Sequence, residues 1–139
     1  MRHYKLIKLN ATKSTNDKVK MLIKSKKISP GDIVWADYQY KGRGQYKNTW
    51  NSSKGKNLLI SIYREFKGLS FKQSNYINFV ISLSVIKTIE QYISNDNFIK
   101  WPNDILSGQK KISGILIENN IKGKELRNSI IGIGINVNQ

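Results

Sequence analysis

Apolar and polar residues alternate over His3–Leu9 in the manner of a strand. Thr12–Asn16 then offers several N-cap residues ahead of a basic helix to about Lys26, with Val19, Leu22 and Ile23 on one face. Ser29-Pro30-Gly31 reads as a turn, Asp32–Asp37 as a short strand, and Tyr38–Lys56 as a long polar loop containing glycine before the strand Asn57–Tyr63. A loop of that length inside a small domain is usually functional. From Lys72 to Ile93, the residues Tyr76, Phe79, Val80, Leu83, Ile86, Ile89 and Ile93 keep helical spacing, which predicts one long amphipathic helix covering a sheet face. The remainder predicts strand Phe98–Trp101, a Pro-Asn-Asp break, a hairpin turning at Ser107-Gly108, strand Lys111–Glu118, a turn near Gly123 and strand Leu126–Val137. The order β-α-β-β-α-β-β-β argues for an α+β fold with a mixed, mostly antiparallel sheet.

The 139 residues suit one domain, 1–139, and 39% hydrophobic with 24% charged residues is a globular composition. Zero cysteines exclude a disulfide framework, a thiolate metal site and a cysteine nucleophile, and the single His3 excludes an imidazole cluster. No apolar run reaches the roughly 18 residues of a membrane span, and Met1–Ala11 lacks a signal-peptide core, so a cytoplasmic location and no membrane partner are expected.

The net charge of +15 invites a nucleic-acid reading. Lys outnumbers Arg 20 to 4, however, and the chain is also rich in Asn and Ile, a bias that an AT-rich coding sequence produces whatever the function. Placement is more telling than the total. No acidic residue occurs between Asp37 and Glu65, while Lys41, Arg43, Lys47, Lys54, Lys56 and Arg64 do, and that stretch suits an anion.

Four segments carry candidate chemistry. In Tyr38–Gln45, Gly42 and Gly44 flank Arg43, so the backbone can approach a ligand and the guanidinium can bind a carboxylate or phosphate, although a plain surface loop reads the same way. Lys100-Trp101-Pro102-Asn103-Asp104 directs an amide and a carboxylate from a strand end, or forms an ordinary Asx-type turn. Gly114 lies inside the apolar strand that follows Lys110-Lys111, and Gly132 and Gly134 lie in the strand before Asn136. Strand glycines mark close approach of a ligand or of packed backbone.

Together, Ser14-Thr15-Asn16, Gln39 with Gly42-Arg43-Gly44, Trp50, Gly55 with Asn57-Leu58, Lys100–Asp104, Lys111-x-x-Gly114-Ile115-Leu116-x-Glu118 and Gly132–Asn136 resemble the catalytic domain of biotin protein ligases, the biotin-[acetyl-CoA-carboxylase] ligases, over nearly the whole chain. The resemblance implies that Ser14, Thr15, Asn16, Gln39, Gly42, Arg43, Gly44, Lys111 and Gly114 bind biotin. It further implies that Arg43, Gln45, Trp50, Lys100, Asn103, Asp104 and Asn136 bind ATP and the adenylate, with Asp104 near Mg2+, and that Arg43 and Lys111 are the catalytic cations. The implied reaction makes biotinyl-5′-AMP from biotin and ATP, then transfers biotin to a lysine of a biotin carboxyl carrier protein of acetyl-CoA carboxylase or a related biotin-dependent carboxylase.

Several departures leave alternatives open. Many members of the family have arginine where this chain has Gln45 and glycine where it has Lys47. Family members continue past the Gly-Ile-Asn segment into more of the catalytic domain and an SH3-like domain, so a C-terminal truncation, including an inactive biotin-binding remnant, stands beside a small active ligase. Few residues precede Ser14, so no winged helix-turn-helix and no DNA binding are expected. A lipoate ligase or octanoyl transferase relative is the nearest alternative, a basic nucleic-acid-binding domain is a more distant one, and a homodimer remains open.

Overall fold

The structure is a computed structural model and describes residues 3–139; Met1 and Arg2, the start of the segment read above as lacking a signal-peptide core, lie outside them. The elements run β1 (Leu6–Leu9), α1 (Thr15–Lys24), β2 (Ile33–Ala36), β3 (Gly42–Arg43), β4 (Thr49–Trp50), β5 (Asn57–Glu65), α2 (Ser74–Ile89), β6 (Asn97–Lys100), β7 (Asp104–Ser107), β8 (Lys110–Lys122) and β9 (Glu125–Asn136). Seven strands form one sheet in the order β1-β2-β5-β9-β8-β7-β6, and β3 and β4 form a separate two-stranded hairpin. Only β1 and β2 pair in parallel, with α1 as their crossover; every other pairing of the large sheet is antiparallel. The expected mixed, mostly antiparallel α+β architecture is therefore present.

The two helices lie against opposite faces of the sheet. Alternation along β9 makes the division: Ile130 turns toward Val19 of α1 together with Val34 and Tyr63, while Ile131 and Ile133 turn toward Ile77, Val85, Ile86 and Ile89 of α2. On the α1 face the next positions of β9 are Gly132 and Gly134, so side chains of other elements come down onto the strand's backbone there. The pairing of β5 with β9 brings Ser61 opposite Gly132 and Leu59 opposite Gly134, and β8 adds Gly114 opposite Gly134.

Two expectations change. The loop Tyr38–Lys56 contains the β3/β4 hairpin, joined by a tight turn in which Tyr46 and Lys47 take φ of 52° and 65°; strands of two residues are too short to show a period. The second change concerns α2, which begins at Ser74 after a capped turn over Phe71–Gln73. Of the residues expected to face the sheet, Ile86 and Ile89 do, Ile93 packs against the same cluster although the helix ends before it at Ile89, and Tyr76, Phe79, Val80 and Leu83 are exposed. The helix is apolar around most of its circumference, so spacing alone did not choose which face is buried. Trp101, joined to Pro102 by a cis peptide bond, stacks on Phe79 with ring centroids 4.5 Å apart. Among the described residues no helix is long and apolar enough to cross a membrane.

Candidate functional site

A cavity of about 170 Å³ opens on the α1 face where the glycines lie. Its floor is the paired backbone of Gly114 and Gly134, with Gly132 beside them. Trp50 lies over the floor: a methyl on Gly114 would come within 2.7 Å of its ring, and so would one on Gly134. A methyl on Gly132 would come within 2.5 Å of Asn16 Oδ1. These glycines are thus explained by close approach of the Trp50 and Asn16 side chains, where the sequence suggested a ligand or packed backbone.

One end of the cavity is neutral and rich in hydrogen-bonding groups. Ser14 caps α1 in an extended conformation, its side chain accepting from the Asp17 amide, and this sets Thr15 and Asn16 on the first turn facing the sheet. Gln39 Oε1 accepts from the Thr15 amide at 2.7 Å, with the Thr15 hydroxyl at 3.0 Å. Ser61, wholly buried on β5, reaches Thr15 Oγ1 at 2.7 Å and Asn16 Oδ1 at 2.6 Å. Asn16 Nδ2 donates to Glu118 Oε2 at 2.9 Å and to the Leu116 carbonyl at 3.3 Å.

The opposite end is charged. Lys111 Nζ pairs with Asp104 at 2.8 Å and lies 5.5 Å from the Trp50 ring centroid. Asn103 is bound to β8 on both sides, its carbonyl accepting from the Ile115 amide at 2.9 Å and its Nδ2 donating to the Ile115 carbonyl at 3.1 Å. That double tie fixes where β7 begins and hence where Asp104 stands. No group of three or more His, Cys, Asp or Glu side chains suited to a metal occurs among the described residues. Asp104 alone fits a Mg2+ ion that arrives on nucleotide phosphates, since such an ion keeps several waters and needs only one or two carboxylates.

Arg43 sits between the ends, on the hairpin. Its guanidinium donates to Asp17 at 2.7 Å and to the two oxygens of Glu118 at 3.1 and 2.8 Å, while Nε has no partner. The resemblance placed Arg43 on the reacting anions; in this structure both its amino groups are engaged by carboxylates. Burial alone would lower its pKa, but Glu118 and Asp17 outweigh that and raise it. Burial likewise opposes ionisation of Glu118, and hydrogen bonds from Arg43, Lys20 and Asn16 overcome it and hold the carboxyl below the usual range.

The structure therefore gathers Ser14, Thr15, Asn16, Gln39, Arg43, Gly44, Gln45, Trp50, Asn103, Asp104, Lys111 and Gly114 around one cavity. Gly42 instead lines a hollow on the far side of the hairpin with Lys13, Lys41 and Lys47. Lys100 is exposed on β6 away from the cavity wall, and Asn136 acts from behind, donating to the Lys111 carbonyl at 3.3 Å. Sequence reasoning missed Ser61, Asp17 and Lys20, and assigned no part to Glu118, Gly132 and Gly134 beyond their place in the motifs. Ser61 had a signal, as a lone small hydroxyl inside Leu58–Tyr63.

Residues 9–136 match the profile described as the Biotin/lipoate A/B protein ligase family. The bifunctional ligase/repressor BirA of Bacillus subtilis is 37% identical over 109 residues, which are 78% of this chain and 33% of that protein. The biotin protein ligase of Aquifex aeolicus, solved with biotin and ATP, superposes with a TM-score of 0.77 at 33% identity over 99% of this chain and 54% of that one. The ligase of Leishmania major, solved with biotinyl-5-AMP, gives 0.77 at 26% identity over 96% of this chain and 57% of that one. The chain thus spans about a third of the length of its curated relative and about half that of the solved ones. A match running from the end of β1 to the end of β9 takes in every wall of the cavity, and on it the chain belongs to the biotin/lipoate A/B protein ligase family.

Proposed function

We propose that this chain carries the catalytic site of an ATP-dependent biotin protein ligase. The observation that carries the reading is the polarity of the cavity, with neutral amides and hydroxyls at one end, a lysine at the other, and a side-chain-free floor under an indole between them. Biotin has that pattern, a neutral ureido ring at one end and a carboxylate at the other. Gln39, Thr15 and Asn16 would hold the ring and Lys111 the carboxylate, with the tail running past Trp50, whose indole rests on Gly114 and Gly134. The biotin–ligase relatives support this substrate over lipoate.

In the first step a carboxylate oxygen of biotin attacks the α-phosphorus of ATP, a new P–O bond forms, and the bond to the bridging oxygen breaks to release pyrophosphate. In the second, a lysine amine of the carrier attacks the acyl carbon and AMP leaves with the bonding electrons. Bringing carboxylate and phosphate together is costly unless a cation is already aimed at them, and Lys111 has that position. Its pairing with Asp104 keeps it extended beside Trp50 until the anions arrive. Mg2+, held by Asp104 and the phosphates, would supply further charge neutralisation. No protein nucleophile takes part, in keeping with a cysteine-free chain.

The carrier is a biotin carboxyl carrier domain of acetyl-CoA carboxylase or a related carboxylase. The test is incubation of the chain with biotin, ATP, Mg2+ and such a domain. The expected result is a carrier heavier by one biotinyl group and release of pyrophosphate that requires biotin; an unmodified carrier with no pyrophosphate release would overturn the proposal.

A further inference from the structure

Glu118 receives more hydrogen bonds than any other side chain at the cavity. Four N–H groups from three residues converge on its two oxygens: Arg43 at 3.1 and 2.8 Å, Lys20 at 2.8 Å and Asn16 at 2.9 Å. The donors come from two separate parts of the fold, with Asn16 and Lys20 both on α1. Arg43 is on the hairpin that carries the glycine loop, Asn16 is at the buried start of α1, and Glu118 itself is on β8, leaving the floor two strand positions beyond Leu116.

We propose that Glu118 is a positioning residue that sets the seating of the Gly42–Arg43 hairpin and the orientation of the pocket's recognition amide, Asn16, together. The argument is one of proton counting. A carboxylate can only accept, so Asn16 must turn Nδ2 toward it, and the Leu116 carbonyl nearby enforces the same choice. Asn16 Oδ1 then faces Ser61 and must accept its proton at 2.6 Å. The Ser61 hydroxyl also lies 2.7 Å from the Thr15 hydroxyl, which in turn stands 3.0 Å from Gln39 Oε1. Gln39 Oε1 takes the Thr15 amide at 2.7 Å, which leaves its NH2 group directed away as a free donor. Asn16, Ser61 and Thr15 are 2%, 0% and 4% exposed, so water does not substitute for any of these partners. The donor and acceptor pattern shown to a ligand thus follows from a charge located outside the ligand's reach.

The same carboxylate grips the hairpin through both Nη atoms of Arg43, and Asp17 adds a third bond at 2.7 Å. Because β3 and β4 pair only with each other, this clamp is the chief polar tie of the loop tip to the sheet. A glutamine at position 118 has one oxygen for four donors, and its NH2 group would face either a guanidinium or the Asn16 amide. Hairpin and Asn16 cannot then both keep their partners.

What the pocket binds is taken from the ligase reading; the coupling itself is a property of the free chain, and the experiment separates the two. Amide hydrogen exchange and the side-chain NH2 signals of Asn16 are followed by NMR in the parent, Glu118→Gln and Arg43→Lys. In Glu118→Gln, exchange across residues 42–50 should rise by about tenfold, the Asn16 NH2 signals should move, and exchange in β9 should stay as in the parent. Arg43→Lys, which does not touch Asn16, should move the same Asn16 signals. With biotin and ATP, Glu118→Gln should raise the biotin KM by about tenfold while kcat stays within about twofold. Unmoved Asn16 signals in Arg43→Lys, an unchanged hairpin exchange, or a rise spread evenly through β8 and β9 would overturn the coupling. A parent without biotin-dependent pyrophosphate release would defeat the ligase reading and leave the NMR result to decide the coupling.

Discussion

Adding one methyl to the floor at Gly114 tests the site most directly. An alanine Cβ there would lie 2.7 Å from Trp50 Cζ3, 3.2 Å from Cε3 and 3.3 Å from Lys111 Cε. Carbon contacts settle near 3.5–4.0 Å, so the indole must retreat by about 1 Å. It is the indole that moves, because Gly114 is on a strand paired on both sides whereas Trp50 is on a two-residue strand paired on one. Overpacking costs about 1–3 kcal/mol in a closed core. Here the hairpin can lift, and alanine in extended backbone recovers about 0.4–1 kcal/mol from the unfolded state, so the net change in fold stability should be about 1 kcal/mol or less.

The larger loss should fall on ligand binding. The methyl takes space over the floor and tilts the ring that closes it, and a misfit of that size corresponds to about 1.5–3 kcal/mol, or roughly 10- to 100-fold in biotin affinity. Titration calorimetry with biotin on the parent, Gly114→Ala, Trp50→Ala and the double variant reads it as a cycle. In the Trp50→Ala background the alanine should cost at least about 1 kcal/mol less, because its main clash is gone. Equal losses in both backgrounds, or parental affinity in Gly114→Ala, would refute the floor-and-indole argument.

Lys111→Gln should lower biotin-dependent pyrophosphate release by about a hundredfold with little loss of stability, the scale of one missing electrostatic stabiliser; parental release would show that the cation lies elsewhere. Gln45→Arg should slow dissociation of biotinyl-adenylate by roughly 5- to 30-fold, as a charge-assisted bond replaces a neutral one, and an equal or faster rate would show that this position does not govern retention. Because Glu118 titrates lower in the folded chain than in the unfolded one, its contribution is present above the unfolded carboxyl value and is lost as pH falls through the folded one; Arg43, Lys20 and Asp17 are the charged groups facing it. Urea midpoints should therefore fall more steeply on acidification in the parent than in Glu118→Gln, and parallel curves would count against this. Tyr63, pushed up to about 12 by burial and by the adjacent Glu65 carboxylate, should give a phenolate absorbance midpoint about two units above that of an exposed tyrosine; a midpoint near 10 would refute it.

Most of the fold could be read from the sequence, and the reasons differ by element. Strands β5 and β9 carry long apolar runs with glycine or serine at the positions that face the cavity, and their ends fall close to expectation. The start of α1 was legible because Ser14 has a side chain that satisfies a free amide at a helix N-terminus. The face of α2 was not, since periodicity needs a polar side to measure against and this helix offers little of one. In the site, the strand glycines could be found one by one, because each breaks a local rule, whereas Lys111, beside Lys110 at a hairpin, stood out only through the family resemblance. The Glu118 cluster could not: Arg43 and Asn16 lie 75 and 102 positions from Glu118, and no local pattern announces such a meeting. Ser61 occupies the middle ground, visible as an exception in an apolar strand but without a stated purpose until Asn16 and Thr15 lie beside it.

The outward side of α2 has a consequence for the handling of this chain in solution. Tyr76, Phe79, Val80, Leu83 and the stacked Trp101 form an exposed apolar surface on a molecule of net charge +15. In dilute buffer, mutual repulsion between such molecules keeps these surfaces apart, because the field reaches about 10 Å at 0.1 M salt. At 1 M the reach shrinks to about 3 Å, while the attraction between apolar surfaces is not screened and excluded anions such as sulfate strengthen it. Most proteins of high charge are made more soluble by moderate salt or are indifferent to it; this one should show light scattering that climbs with ionic strength, and should lose that response when Phe79 and Leu83 are replaced by glutamate.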